Sequence, residues 1–83
     1  MWVVYIIESS STKGFYIGHT NNLNRRLHDH NRGRNRSTKG KGPWRFVFQR
    51  QFEARQDCVA FEKHLKSLRN MKYIRSKYYP YFL

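Results

Sequence analysis

Trp2-Val3-Val4-Tyr5-Ile6-Ile7 is an unbroken β-branched and aromatic run, the signature of a buried central strand. Glu8-Ser9-Ser10-Ser11-Thr12-Lys13-Gly14 follows, polar throughout and ending in glycine, and reads as a loop. Phe15-Tyr16-Ile17-Gly18-His19-Thr20 is a second short strand. A seven-residue connection makes these two strands a hairpin, because parallel pairing needs a crossover of about a dozen residues.

Beyond the hairpin, Asn21 or Asn22 is placed to cap a helix over Leu23–His30, with Leu23 and Leu27 on its core stripe. Arg26 and His30 are also four apart and share a second face. Arg32 to Pro43 is basic and glycine-dotted, without an apolar residue, and is expected to be a mobile loop ordered on a phosphate backbone. Trp44–Phe52 alternates apolar and polar residues for most of its length and forms a third strand. Cys58, Phe61, Leu65 and Leu68 then mark an amphipathic helix, interrupted at Asn70 and followed by a further amphipathic stretch from Met71 to Tyr79. The order β–β–α–β–α–α predicts an α+β fold, a small three-stranded antiparallel sheet flanked by helices. Residues 1–83 form a single domain in which 68–83 is a C-terminal helical extension.

Seventeen Lys and Arg oppose five acids, a formal charge of +12. So large a surplus resists compaction and calls for a polyanionic partner, nucleic acid first among them. A ribosome-associated protein or a merely soluble basic surface are the blander readings. No apolar stretch approaches the roughly 20 residues of a membrane span. The N-terminal run lacks the basic and small-residue flanks of a signal peptide. Cys58 is the single cysteine, which excludes an intramolecular disulfide and argues against a structural zinc site. The expected compartment is the cytoplasm.

The acids are few enough to take one by one. Glu53 and Asp57 flank a helix start, where negative charge suits the dipole. Glu62 lies deeper in that helix beside the apolar stripe, with an ordinary i,i+4 partner in Lys66. One carboxylate cannot build a calcium cage, but it can hold a Mg²⁺ that keeps waters and takes phosphate oxygens, an arrangement suited to phosphodiester cleavage. Tyr5 and Tyr16 on neighbouring strands have a bland reading as core residues with wet hydroxyls. Gly18 inside a strand signals close approach or a bulge.

Taken together, Tyr5, Tyr16, Gly18, Arg26, His30 and Glu62 resemble the GIY-YIG nuclease family. The first motif stands as Val4-Tyr5-Ile6, with Val4 in place of the usual glycine, and the second, Tyr16-Ile17-Gly18, is complete. The Tyr16-to-Arg26 and Arg26-to-His30 spacings, and a glutamate in the helix after the third strand, are similar to the family's. Ser37-Thr38-Lys39 followed by Gly42-Pro43-Trp44 is similar to its small stand-alone bacterial members. The resemblance runs from about Trp2 to Ser67.

It implies an endonuclease acting on DNA, with one divalent ion, Mg²⁺ or Mn²⁺, on Glu62. Tyr5 is then the general base, its pKa helped downward by Arg26 and the positive field. Tyr16 orients the water or the scissile phosphate, and Arg26 neutralises charge developing on it. His30 hydrogen-bonds a phosphate oxygen or relays a proton from Tyr5. Gly18, His19, Arg25, Arg32, Arg34, Arg36, Lys39 and Lys41 are the substrate-binding candidates, contacting phosphates without reading sequence. Cutting both strands calls for a second copy, as a homodimer, or for a larger repair complex. Two readings from other classes stand beside this one: a non-catalytic nucleic-acid-binding module, and a ribosomal or RNA-processing protein.

Overall fold

The computed structural model describes residues 1–83. Three strands, β1 (Trp2–Ser9), β2 (Phe15–Thr20) and β3 (Trp44–Phe52), form one antiparallel sheet in the order β2-β1-β3. Helix α1 (Leu23–Asn31) follows β2, and α2 (Arg55–Leu68), α3 (Met71–Lys77) and a 3-10 turn, Tyr79–Tyr81, follow β3. The α+β architecture expected from the sequence is the one observed.

β1 is the centre of the molecule. Val3, Val4, Tyr5, Ile6 and Ile7 are all buried, because helices cover both faces of the sheet. Val4 and Ile6 pack with Phe48, Cys58, Leu65 and Ile74 on the side of α2 and α3. Tyr5 and Ile7 pack with Trp44, Tyr16, Leu23 and Leu27 on the side of α1. An irregularity between Ile6 and Ile7 moves their β3 partners from Phe48 to Phe46. The residue skipped, Val47, therefore turns with Phe48 into the α2 core.

Local chemistry sets the element ends. The Asn22 side chain accepts from Arg25 N at 3.1 Å and caps α1. Arg69 closes α2 in the left-handed region at φ 51°, and Asn70 at once caps α3 by accepting from Tyr73 N at 3.0 Å. The chain then folds back on the sheet: Phe82 bridges Phe48, and Leu83 N donates to Val47 O at 2.9 Å. The Arg50 guanidinium lies 4.5 Å from the Phe61 ring and 4.8 Å from that of Tyr81, joining this tail to α2.

The segment from Arg32 to Pro43 differs from the mobile loop expected of its composition. Ser10 N donates to Pro43 O at 2.9 Å, the Ser9 hydroxyl to Lys41 O, and the Ser11 hydroxyl to Gly42 O at 2.9 Å. Thr38 is 1% exposed, with its carbonyl accepting from Trp44 Nε1 at 3.2 Å. The folded hairpin supplies acceptors and donors that the loop's own sequence does not reveal.

Ile74 is the one buried residue of α3. Ile74→Ala is expected to cost about 2–5 kcal/mol of unfolding free energy, measured by urea denaturation. A cost below about 1 kcal/mol would show that α3 is not part of the cooperative core.

Candidate active site

Tyr5 is fully buried, yet its hydroxyl is not isolated. It lies 2.8 Å from His30 Nε2 and accepts from Arg26 Nε at 3.3 Å. The helical spacing of Arg26 and His30 brings both to the one phenol that β1 presents to α1. Tyr16, opposite Ile7 in the register, lies on the same face, its ring 4.9 Å from the His30 ring and 6.5 Å from that of Tyr5. Gly18 pairs with Tyr5, and a Cβ there would sit 2.6 Å from the Tyr5 hydroxyl oxygen. The close approach signalled by this glycine is made by Tyr5 itself.

Burial pushes the Tyr5 phenol up to about 12; Arg26 pulls it down without prevailing, while Tyr16 and Glu62 add to the rise. The sequence expectation that Arg26 and the surrounding charge would lower this pKa is therefore corrected, since desolvation of the phenolate outweighs them. The hydroxyl is dry rather than wet. Desolvation alone would lower the Arg26 pKa, but its hydrogen bond and charge interaction with Tyr5, and then those with Tyr16, raise it.

Burial, followed by the charge of Arg26, pushes His30 down to about 4 against the opposing pull of Asp29. At neutral pH the imidazole is uncharged. Its Nδ1 lies 2.8 Å from Thr38 Oγ1, so both ring nitrogens are occupied inside the protein. Of the two roles expected for His30, a direct bond to a phosphate oxygen is not open in this arrangement.

Glu62 lies on the other side of the sheet. His19 pairs with Val4, whose side chain faces α2, and His19 Nδ1 meets Glu62 Oε1. Lys66 Nζ is 2.6 Å from Glu62 Oε2. The i,i+4 partner is thus present alongside a second one. Burial would raise the Glu62 pKa, but the hydrogen bonds from Lys66 and His19, and their charges, hold it below the usual carboxylate value. The two halves meet around the outer edge of β2, where Lys66 Nζ lies 6.0 Å from the centre of the Tyr16 ring.

Of the substrate-binding candidates, Gly18 is buried against the Tyr5 ring and so is not open to a substrate, and His19 is engaged by Glu62. Arg25, Arg32, Arg36, Lys39 and Lys41 are exposed. Arg34 is exposed as well and lies 3.6 Å from Asp29, a surface pair worth little energy. A depression of about 180 Å³ is lined by Thr20, Asn22, Arg25, Arg26 and Asp29. A second, of about 330 Å³, is lined by Gly14, Tyr16, Ser37, Lys41 and Trp44. The largest, about 860 Å³ on the outer face of α2, contains Arg55 and Lys63 but no acid or histidine, and its position does not join it to the tyrosines. The sequence reading did not single out Asn35 and Thr38 as site residues; Asn35 Nδ2 donates to the Tyr16 hydroxyl at 3.4 Å. Nothing periodic marks either residue within the polar run.

The GIY-YIG catalytic domain family matches residues 1–75. The chain is similar to an uncharacterised protein of Acanthamoeba polyphaga mimivirus, 37% identical over 79 residues, which are 89% of this chain and 48% of that protein. It is also similar to a UPF0213 protein of Clostridium perfringens, 37% identical over 71 residues covering 83% of this chain and 75% of the relative. The chain thus spans about half the length of the viral relative and three quarters of the bacterial one. The solution NMR structure of a UPF0213 protein from Bacillus halodurans is similar in fold, with a TM-score of 0.55, 30% identity and coverage of 90% of this chain and 81% of that one.

The neutral, buried His30 sets a pH dependence. The unfolded imidazole titrates near 6.5 and the folded one near 4, so the unfolded chain holds more protons between those values. Stability is expected to fall by a few kcal/mol as pH drops from 6.5 toward 4. His30→Gln should flatten that slope in urea titrations at stepped pH. Equal slopes in the two proteins would contradict the assignment.

Proposed function

Because the chain belongs to the GIY-YIG family, we propose that it is a metal-dependent endonuclease hydrolysing phosphodiester bonds in DNA. It acts with little sequence preference and with the structure selectivity of a repair or recombination enzyme, in the cytoplasm. The observation that carries this reading is the hydrogen-bonded set of Arg26, Tyr5 and His30, set beside an exposed basic rim.

The residues fit a divalent ion of one kind. No group of three or more His, Cys, Asp and Glu side chains that could hold a metal is present, which excludes an all-protein cage. Glu62, kept ionised by its contacts with Lys66 and His19, suits Mg²⁺ or Mn²⁺ that draws its other ligands from water and phosphate. Glu62 would hold it in exchange for one of its present contacts with Lys66 and His19. When bound, such an ion supplies a Lewis acid for the scissile phosphate and stabilises the leaving oxygen.

The side chains then divide the work. Arg26 turns from Tyr5 toward the phosphate, neutralising its developing charge and opening the phenol to the attacking water. The water's O–H bond breaks as its oxygen forms the new P–O bond, and the bond from phosphorus to the leaving oxygen breaks, that oxygen taking a proton from solvent. The water's proton passes to the Tyr5 oxygen while the Tyr5 proton passes to His30 Nε2. This relay never accumulates a phenolate, which a pKa near 12 disfavours. Tyr16 orients the water or the phosphate from the edge of the sheet. Arg25, Arg32, Arg34, Arg36, Lys39 and Lys41 hold the backbone on either side, with His19 on β2 beside them. Cleavage of both strands takes a second copy or a larger repair complex.

The closed state of both halves favours a second reading, a nucleic-acid-binding module without turnover: the Glu62 oxygens are occupied and Tyr5 is buried. Labelled duplex, flap, junction and single-stranded DNA assayed with and without EDTA separates the two. Glu62→Ala and Arg26→Ala are each expected to lower kcat by at least about 100-fold; undiminished cutting by both variants, or by wild type in EDTA, sinks the nuclease assignment. For binding, neutralising Arg32, Arg34, Arg36, Lys39 and Lys41 together should flatten the log Kd against log salt slope by about 4 for duplex DNA. An unchanged slope would place the phosphate contacts elsewhere.

A further inference from the structure

Hydrogen-bond donors and acceptors at the buried phenol leave one consistent arrangement of protons. Tyr5 Oη has two side-chain partners, Arg26 Nε and His30 Nε2. Arginine only donates, so the Tyr5 proton has a single place to go, His30 Nε2. Were Nε2 protonated instead, the Tyr5 O–H would point at nothing inside a fully buried site, a loss of about 1–3 kcal/mol. The ring proton therefore sits on Nδ1 and is donated to Thr38 Oγ1 at 2.8 Å. Thr38 passes its own hydroxyl proton to Asn35 O at 3.4 Å. Donation runs one way, from Arg26 to Tyr5, His30 and Thr38, and ends on the Asn35 carbonyl as acceptor.

We propose that Thr38 is a positioning residue: its hydroxyl holds His30 in the tautomer whose free Nε2 accepts the Tyr5 proton. The rest of its surroundings are built for that task. Thr38 N donates to Asn35 O at 3.1 Å, and its carbonyl accepts from Trp44 Nε1 at 3.2 Å and from Lys41 N at 3.2 Å. Thr38 is thus fixed at backbone and side chain, 1% exposed between the exposed Arg36, Ser37, Lys39 and Gly40. The segment that meets the phosphate backbone also holds the far end of the proton relay.

This rests on the nuclease reading for its catalytic consequence, but not for its geometry, and the test keeps the two apart. The full chain labelled with ¹⁵N-histidine is compared as wild type, Thr38→Val and Thr38→Ser, reading the His30 ring nitrogen shifts by long-range ¹H–¹⁵N correlation. Wild type and Thr38→Ser are expected to show a protonated Nδ1 and an unprotonated Nε2. Thr38→Val, nearly isosteric and keeping all three backbone contacts, should lose that pattern for the other tautomer or a mixture. Cleavage should fall on the order of 100-fold or more in Thr38→Val with unchanged Kd for DNA, and recover in Thr38→Ser. Unaltered ring shifts in Thr38→Val, or a protonated Nε2 in wild type, overturn the proposal. Shifts that respond as expected in a protein that cuts no DNA would support the positioning role and overturn the nuclease reading alone. Should Thr38→Val fail to fold, Thr38→Ser and Thr38→Ala decide through the same shifts.

Discussion

A phenol buried in the middle of a sheet must give its proton to something, and much of this molecule follows from how Tyr5 does so. The hydroxyl lies between Arg26 and His30 on one helix, and that helix reaches it because Leu23 and Leu27 seat α1 on the Tyr5 face of β1. Gly18 must lack a side chain for the ring to fit, and the return of β2 beside β1 brings Tyr16 alongside. Desolvation then does to these groups what solvent would not. It keeps the phenol protonated and the imidazole neutral, a donor facing an acceptor with the proton held between them.

The second half of the site follows the opposite rule. Glu62 is kept charged rather than neutral, because its hydrogen bonds and charge interactions with Lys66 and His19 outweigh the cost of burying it. The sheet separates the two environments, and they meet only around the rim of β2, where Lys66 approaches Tyr16. One side of the sheet thus holds a hydrogen-bonded phenol and imidazole and the other an ionised acid. A phosphodiester laid across the rim would meet both, with cations to either side of it.

Most of the scaffold was legible because period and composition agree. The apolar run of β1, the Leu23/Leu27 stripe and the Cys58–Leu65 stripe each have one sensible reading. Arg26, His30 and Lys66 were legible for the same reason, helical neighbours four apart. Strand parity also carried a signal that went unused: Tyr16 and Gly18 are two apart while His19 lies between them, so His19 and its partner Glu62 belong to the opposite face. The loop was where reading by composition failed. By composition Thr38 is one more residue of a basic, polar run, and its burial is set by hydrogen bonds with His30 and Trp44 that only the folded chain makes. The Tyr5 pKa failed for a related reason, since charge is visible in sequence and depth is not.

The tail that folds back over β3 has an effect on the sheet's two margins. Phe82 and Leu83 occupy part of the hydrogen-bonding side of β3, whereas β2 has a neighbour on one side alone. An open strand margin ordinarily invites another chain to extend the sheet. Here the open margin is the one bordered by Arg25, Arg26 and Lys66, and each copy carries a net charge of +12. Two copies approaching strand to strand repel each other there, while a polyanion is drawn in. The surplus charge therefore does a second job, keeping the unfinished side of a small sheet from becoming a route to aggregation.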